Sequence, residues 1–539
     1  MKTIILLCGD LADLGHGLDL EELRSSLTTT SVAVETIPYL CDDFSQLRTM
    51  VSRHGAVRAV LGMCSGDYST TELQAKAKKA GLDPLGLEVI PLGTWCAMVH
   101  SRPAATQKAK ILLSAALARA RAFRESETEQ SKLRFIPRNQ KVTRRSFFTL
   151  PPIEYSPLPL IMTERCITGA GCRLCIKACP LGALEERGGT IALNETRCES
   201  CGICLSVCPV RAIDFPGWSS VQFEAQLTAM AGSTMFSENM PGLLFICQKA
   251  MGKLEELARR GFEYSPGWLP VVTPCLGMVT PDWITQVLAG GFEAAALLSC
   301  GTACPFGQRA VIGSRVNFCR QLLGALDQPI DRVRLFDTTH DEILCQVLKE
   351  AVPRKESSIL KCAPNALRLG NTEGTFQAIK AMAGSCGISP KVALEHPCSP
   401  FGVIKLRKEA CTACLACIDT CPTGALVGEQ RQNKAAISFD ALACNGCGLC
   451  IEICPEIMGR ALNLSRMTDM DALSRGRIVL YEYEMAVCEN CGANIASHAM
   501  LRRIKTSLPK QETLIGALTC LCPACRLSIA PKSTPSSLP

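Results

Sequence analysis

Aromatic residues make up only 5% of the 539 residues, which argues against a protein that stacks bases or ligands on aromatic platforms. Histidine is scarcer still, with six residues in all. None stands in C-x2-C-H or H-E-x-x-H, so covalent haem attachment and zinc-dependent hydrolysis have no support. His16, His54, His100, His340, His396 and His498 read as scattered surface or internally satisfied side chains. No P-loop of the form G-x-x-x-x-G-K followed by Ser or Thr occurs, which removes the usual sign of coupling to nucleotide hydrolysis. Gly15-His16-Gly17 and Gly169-Ala170-Gly171 lack the third glycine and the strand-to-helix setting of a dinucleotide-binding turn.

Long apolar runs are missing too. Met1 to Asp10 offers only Ile4 to Leu7 before Cys8-Gly9-Asp10 interrupts it, which is no signal-peptide core. No window approaches the ~18 uninterrupted apolar residues of a membrane span. Thr143-Arg144-Arg145-Ser146-Phe147-Phe148 has the look of a twin-arginine export motif, but it lies far inside the chain and is followed by Pro151-Pro152, not an apolar run. The expectation is a cytoplasmic protein with no membrane span.

What the chain has in excess is cysteine, 34 residues. The choice lies between a disulfide framework and metal ligation, and spacing decides it. Cys411-x2-Cys414-x2-Cys417-x3-Cys421-Pro422 is followed by Cys444-x2-Cys447-x2-Cys450-x3-Cys454-Pro455. Three closely spaced thiolates wrap one corner of an iron-sulfur cubane, and the fourth cysteine of each run reaches across to the other cluster. One [4Fe-4S] cluster should take Cys411, Cys414, Cys417 and Cys454, and the other Cys444, Cys447, Cys450 and Cys421. Zinc does not require such runs.

The pattern appears earlier as Cys166-x5-Cys172-x2-Cys175-x3-Cys179-Pro180 and Cys198-x2-Cys201-x2-Cys204-x3-Cys208-Pro209. The crossing rule assigns Cys166, Cys172, Cys175 and Cys208 to one [4Fe-4S] cluster and Cys198, Cys201, Cys204 and Cys179 to the other. The first gap is five residues where two are usual. It contains Gly169-Ala170-Gly171, which returns Cys166 to a complete cubane or leaves it off a three-iron cluster.

Clusters also correct the charge. The formal +7 counts each cysteine as neutral, whereas each cluster with its four thiolates carries roughly −2. Four clusters bring the total to about −1, so the apparent basicity is no argument for nucleic-acid binding.

Each doubled run carries Pro-x-Gly-Ala-Leu, at Pro180 to Leu184 and Pro422 to Leu426, and together they resemble the bacterial dicluster ferredoxin family. The resemblance implies adjacent clusters within tunnelling range and one-electron steps. Between the two modules, Cys247, Cys275 and Cys300-x3-Cys304 each follow an apolar, strand-like run. The carboxyl ends of parallel strands are where such sheets place ligands. This region is similar to the delta subunit of methyl-viologen-reducing hydrogenase, and that resemblance implies a [2Fe-2S] cluster on Cys247, Cys275, Cys300 and Cys304. It departs at Ala250, where the family usually has a cysteine. Buried thiols acting as small hydrophobes are the competing reading.

The N-terminal region, at Leu40-Cys41, Ala59 to Ser65 with Cys64, and Trp95-Cys96 with Val99-His100, is similar to the N-terminal part of the heterodisulfide reductase A-subunit. The resemblance implies a further [4Fe-4S] site from Cys8, Cys41, Cys64 and Cys96, against the same inert-thiol reading. The flavin-binding region that follows in that family is absent, so no flavin is expected.

Near the C-terminus, Cys488-x2-Cys491 and Cys522-x2-Cys525 make two knuckles of a tetrahedral four-thiolate site. Zinc is the simplest occupant, with iron or a cluster as alternatives. Cys319, Cys345, Cys362, Cys386, Cys398 and Cys520 have no assigned role.

The fold class expected is multidomain α/β plus α+β. An α/β unit over residues 1–130 leads through a linker, 131–159, to the first ferredoxin-like module, 160–216. A second α/β unit, 240–352, and a connecting region, 353–402, precede the second module, 403–465. A ribbon-like metal region, 481–527, and a Pro/Ser-rich tail, 528–539, follow. No substrate-binding catalytic constellation is visible. The expected function is a multi-cluster electron-transfer subunit of a hydrogenase, formate dehydrogenase or heterodisulfide-reductase-like complex. The alternatives are a catalytic reductase built on an unusual cluster and a redox sensor or scaffold.

Overall fold

The computed structural model describes residues 2–124, 132–133, 153–232, 241–339, 341–350, 367–384, 391–456, 458, 460–507, 516 and 518–529. The twin-arginine-like stretch, His340, Cys362, Cys386 and residues 530–539 lie outside the described residues. The chain divides into two compact units, residues 1–169 with 173–390, and residues 170–172 with 391–539.

The first unit contains two four-stranded parallel sheets with the same strand order, second-first-third-fourth. In the N-terminal sheet Thr3–Cys8 lies between Val32–Ile37 and Arg58–Met63, with Glu88–Pro91 at the edge. In the other, Gly242–Cys247 lies between Trp268–Thr273 and Ala294–Ser299, with Val333–Asp337 at the edge. The central strands of both sheets are buried along their whole length, as their continuous apolar runs require when helices cover both faces.

Local chemistry sets the helix starts. Asp19 and Ser69 accept the backbone N–H groups of Glu22 and Glu72, Ser219 and Gln222 form a reciprocal capping box, and a proline opens Arg102–Ala122 and Pro281–Ala289.

Two buried polar groups join the elements of this unit. Arg119, on Arg102–Ala122, pairs its Nε with Glu88 at 3.0 Å and donates to Gln226 Oε1 at 2.9 Å and to the Gly217 carbonyl at 2.6 Å. Its guanidinium also lies over the Trp218 and Phe223 rings. Lys108, 1% exposed, lies 3.0 Å from His100 Nε2 and 3.2 Å from the Tyr264 hydroxyl, which ties the N-terminal sheet's long helix to the second sheet's segment. The connecting region is more regular than its sequence suggests. Helix Thr372–Gly384 packs on Pro281–Ala289, and Gln286 donates to the Arg368 carbonyl.

The second unit is built on antiparallel strands. Leu426–Arg431, Lys434–Asp440, Arg477–Val487 and Asn494–Ser497 form one sheet in that order. A smaller sheet places Leu462–Asp469 between Ala393–Glu395 and Gly402–Leu406. The C-terminal region is therefore no separate ribbon, since its strands extend the sheet of the second cysteine-rich module. Asn494 Nδ2 donates to the Gln432 carbonyl, and Ser497 Oγ to the Thr412 carbonyl.

Candidate metal centres

The three C-x2-C-x2-C runs share one loop conformation. The residues just before and just after the middle cysteine take positive φ: Ser200 and Gly202, Ala413 and Leu415, Gly446 and Gly448. A left-handed backbone costs a non-glycine residue roughly 1–2 kcal/mol, so Ser200, Ala413 and Leu415 hold it against their own preference. The loop needs it to turn three thiols inward. The run from Cys166 departs at the position where its spacing departs. Gly171 keeps a positive φ, but Arg173, after the middle cysteine, is at −135°.

Around the second run of the first module, one cavity is lined by Cys179, Cys198, Cys201 and Cys204, closed by Leu184, Ile203 and Phe215. Cys179 packs with Cys198, Leu158 and Ala183, although it belongs to the other run. Cys166, Cys175 and Cys208 pack round Leu184, Ile191 and Ile213, and Cys172 is buried. The Sγ atoms of Cys179 and Cys208 each accept a backbone N–H from four residues on, Ala183 and Ala212, at 3.2 Å. Burial pushes the Cys201 thiol up to about 11. Thiolates in such a lining need a cationic core beside them.

The second module repeats this. A cavity is lined by Cys411, Cys414, Cys417 and Cys454 with Ile437, Glu456 and Leu462. Cys450 lies near Cys444, Cys447 and Cys421, and Cys417 near Cys411, Cys414 and Cys454, so both crossings bring the fourth cysteine to the opposite run. Gly402 packs on Cys444 Sγ and on the Gly446 backbone, where a methyl group would not fit. The Arg466 guanidinium lies among Cys398, Cys444 and Cys447, held by the carbonyls of Ser399 at 3.0 Å and Gly446 at 3.4 Å. The sequence offered no signal for Arg466. Cys398 is placed beside it, its backbone N–H donating to His396 Nδ1.

In the second parallel sheet, Cys247 ends its strand, Cys275 and Cys300 follow theirs, and Cys304 closes a 3-10 turn after Cys300. Cys300 is surrounded by Cys247 and Cys304, and its thiol is pushed up to about 12, chiefly by burial. Cys275 accepts the Gly277 N–H at 3.3 Å. Cys247, Cys201 and Cys304 lie near it. Cys275, Phe306 and Ile203 form one buried cluster with Cys201 and Cys304 against it. The Leu276–Met278 turn thus lies on the short helix Ile203–Val207, with Ser206 Oγ donating to the Gly277 carbonyl at 3.4 Å. Cys319 is buried in helix Arg309–Ala325 as a core residue, and Cys345 lies on helix Asp341–Lys349.

In the N-terminal sheet the Sγ atoms of Cys8, Cys41 and Cys64 lie within 4.8 Å of one another. Cys96 does not join them. It is fully buried in the π-helical turn Gly93–Ala97, where desolvation pushes its thiol up to about 12 and Lys108 pulls the other way.

At the C-terminal end Cys488, Cys491, Cys522 and Cys525 bring all four Sγ atoms within 4.8 Å of one another. Sulfurs 2.3 Å from one tetrahedral ion stand about 3.8 Å apart, and Cys491 and Cys522 are 3.6 Å apart. The set therefore fits a single zinc or iron ion. Backbone N–H groups, that of Cys522 foremost, hold the Cys488 thiol down at about 6, and Asn490 Nδ2 donates to Cys525 at 3.3 Å. Cys520 stays outside, its carbonyl accepting the Glu489 N–H.

None of the described cysteines is disulfide-bonded, and no helix among the described residues is long and apolar enough to cross a membrane.

Residues 403–455 match the family model described as a 4Fe-4S dicluster domain, residues 191–214 a 4Fe-4S binding domain, and residues 243–352 the methyl-viologen-reducing hydrogenase delta subunit. Over 121 residues, 22% of this chain, the sequence is 27% identical to the A-subunit of the ferredoxin:CoB-CoM heterodisulfide reductase of Methanosarcina acetivorans. The match spans 15% of that protein's length. The chain carries 4Fe-4S ferredoxin domains and a methyl-viologen-reducing hydrogenase delta-subunit domain.

Proposed function

We infer that the protein is a multi-cluster electron-transfer subunit, passing single electrons between a cytoplasmic oxidoreductase of the hydrogenase, formate dehydrogenase or heterodisulfide-reductase type and an acceptor. In this reading residues 160–216 and 403–465 are dicluster modules, each with two [4Fe-4S] clusters on the crossed ligand sets given above. Cys247, Cys275, Cys300 and Cys304 hold a [2Fe-2S] cluster, and Cys488, Cys491, Cys522 and Cys525 hold zinc.

The observation that carries the reading is the junction at Cys275. Its side chain shares a buried apolar cluster with Ile203, with Cys201 packed against it, so a cluster at the sheet edge and one in the ferredoxin module would be separated by packed side chains. Iron-sulfur centres bound in this way exchange electrons without substrate chemistry, and the thiolate cages and local charge set their potentials. The chain's own residues supply position and dielectric. Leu276 and Met278 are buried at the junction, and Arg315 donates to the carbonyls of Gly277 and Val279 at 2.7 and 2.9 Å, fixing the turn that carries Cys275.

The test is the rate at which a reduced donor protein or viologen reduces the ferredoxin clusters of the full chain. Cys275→Ser should slow it at least tenfold while leaving the sixteen ferredoxin cysteines and their iron in place. An unchanged rate would mean that electrons do not pass this junction.

A further inference from the structure

In the N-terminal sheet three of the four cysteines that the resemblance implies converge within 4.8 Å, and Cys96 is not among them. Cys8 closes strand Thr3–Cys8, and Cys64 follows Arg58–Met63. The turn at Tyr39, a residue with φ of 53°, swings Cys41 back so that its Sγ accepts the Cys64 N–H at 3.1 Å. Three sequence-distant thiols thus converge within 4.8 Å. Asp10 is the carboxylate beside them, its Oδ2 3.5 Å from Cys8 Sγ, but it does not belong to the convergent group.

Cys96 is held away by packing on every side of its turn. Gly93 lies so close to the Cys64 carbonyl that no Cβ fits between them, and Gly15 lies in the same way against Ala97. The His100 N–H donates to the Cys96 carbonyl at 3.1 Å, and Trp95, Cys96 and Ala97 are all buried. The charged neighbour of its thiol is Lys108. Bringing Cys96 to the triad would unpack this turn.

We propose that the N-terminal centre is a three-thiolate metal site of Cys8, Cys41 and Cys64, whose fourth position is left to a small external ligand, with Cys96 outside the ligand set. Three protein ligands and one exchangeable position are the arrangement by which metal sites bind and activate small molecules, whereas four protein thiolates close a structural site. Within one chain the contrast is direct. The C-terminal set presents four convergent thiols and the N-terminal set three. A soft three-sulfur environment favours a soft single-atom donor at the remaining position.

The inference rests on the reading that the triad holds metal, and the experiment separates the two. Metal per chain and the low-temperature EPR spectrum of the reduced full-length protein would be compared for wild type, Cys64→Ser and Cys96→Ser, with and without cyanide as the probe ligand. If Cys64→Ser loses no metal, the triad holds none and the underlying reading fails. If Cys64→Ser loses metal, Cys96→Ser should keep it. Loss of the same metal from Cys96→Ser would overturn the ligand set. Should Cys96→Ser not fold, the cyanide arm stands alone. It should perturb a signal of the wild type that Cys64→Ser lacks, and an unperturbed wild-type spectrum would overturn the exchangeable position.

Discussion

The second ferredoxin module and the N-terminal sheet bring cysteine thiols together from opposite ends of the sequence scale. In the module, three of the four thiols of each proposed cluster come from seven consecutive residues, Cys411 to Cys417 or Cys444 to Cys450, in a loop whose left-handed residues turn them inward. In the sheet, Cys8, Cys41 and Cys64 are separated by dozens of residues and meet because parallel strands bring their carboxyl ends to one edge. A run carries its geometry locally. A strand-end site carries it in the topology, and is only as good as the core beneath it. The delta-subunit domain belongs to the second kind, and its identical strand order shows how one arrangement can present cysteines twice in a chain.

The largest effect that could break this comparison is loss of one strand-end site without loss of the runs. Leu297 is buried in the central strand Ala294–Ser299, and Leu297→Ala should cost about 2–5 kcal/mol. Metal analysis should show iron lost from the site of Cys247, Cys275, Cys300 and Cys304 and retained in the second module. Equal loss from both would mean that the runs are no more autonomous than the strand ends.

Next in size is the charge beside the second module's clusters. Arg466 lies by Cys444 and Cys447, whereas the carboxylate near Cys411 and Cys454, Glu456, is paired with Arg503 at 3.2 Å. A buried cation favours the reduced, more negative cluster. Arg466→Met should lower the potential of the Cys444, Cys447, Cys450 and Cys421 cluster by about 59 mV, the one-electron equivalent of a tenfold change. The cluster on Cys411, Cys414, Cys417 and Cys454 should barely move. A redox titration followed by EPR resolves the two.

A smaller effect sharpens the comparison from the side of the sheet. Glu88, on the edge strand, is pushed up to about 7, chiefly by burial, with Arg119 pulling it down. Its folded value lies above the ordinary 4.5, so the protonated form favours folding. That contribution is fully present below about pH 4.5 and is lost as pH rises through 7. The thermal transition of the first unit should therefore fall between pH 5 and 8, and Glu88→Gln should flatten the dependence. The smallest effect belongs to the loops. Ala413→Gly removes a left-handed alanine and should raise the second unit's stability by about 1 kcal/mol in a denaturant titration.

The unequal legibility of the two kinds of site follows from the same physics. The runs are the more legible kind, because spacing alone limits which thiols can approach one another, and Cys179 lies with Cys198, Cys454 with Cys411, Cys414 and Cys417, and Cys421 near Cys450. The strand Gly242–Cys247 was equally plain, since a continuous apolar run followed by a cysteine marks a buried strand end. Cys96 was not legible. It follows a strand as its partners do, and only the π-helical turn, with Gly93 pressed on Cys64, turns its thiol toward Lys108. Nor could the sequence give Arg466 or the Leu276–Met278 turn, whose roles depend on neighbours far along the chain. The joining of the C-terminal cysteine site to the ferredoxin module was hidden for a related reason. Arg477–Val487 pairs with Lys434–Asp440 across a register shift between Ile437 and Ser438, which no local pattern announces.

The most direct test of an electron conduit is a reductive EPR titration of the anaerobically purified full chain, with iron counted on the same sample. The account predicts at least about sixteen irons in four [4Fe-4S] clusters. It also predicts a spin-spin interaction between a [2Fe-2S] signal and the cluster on Cys198, Cys201, Cys204 and Cys179. Iron well below sixteen in a folded chain, or signals that reduce without ever interacting, would contradict it.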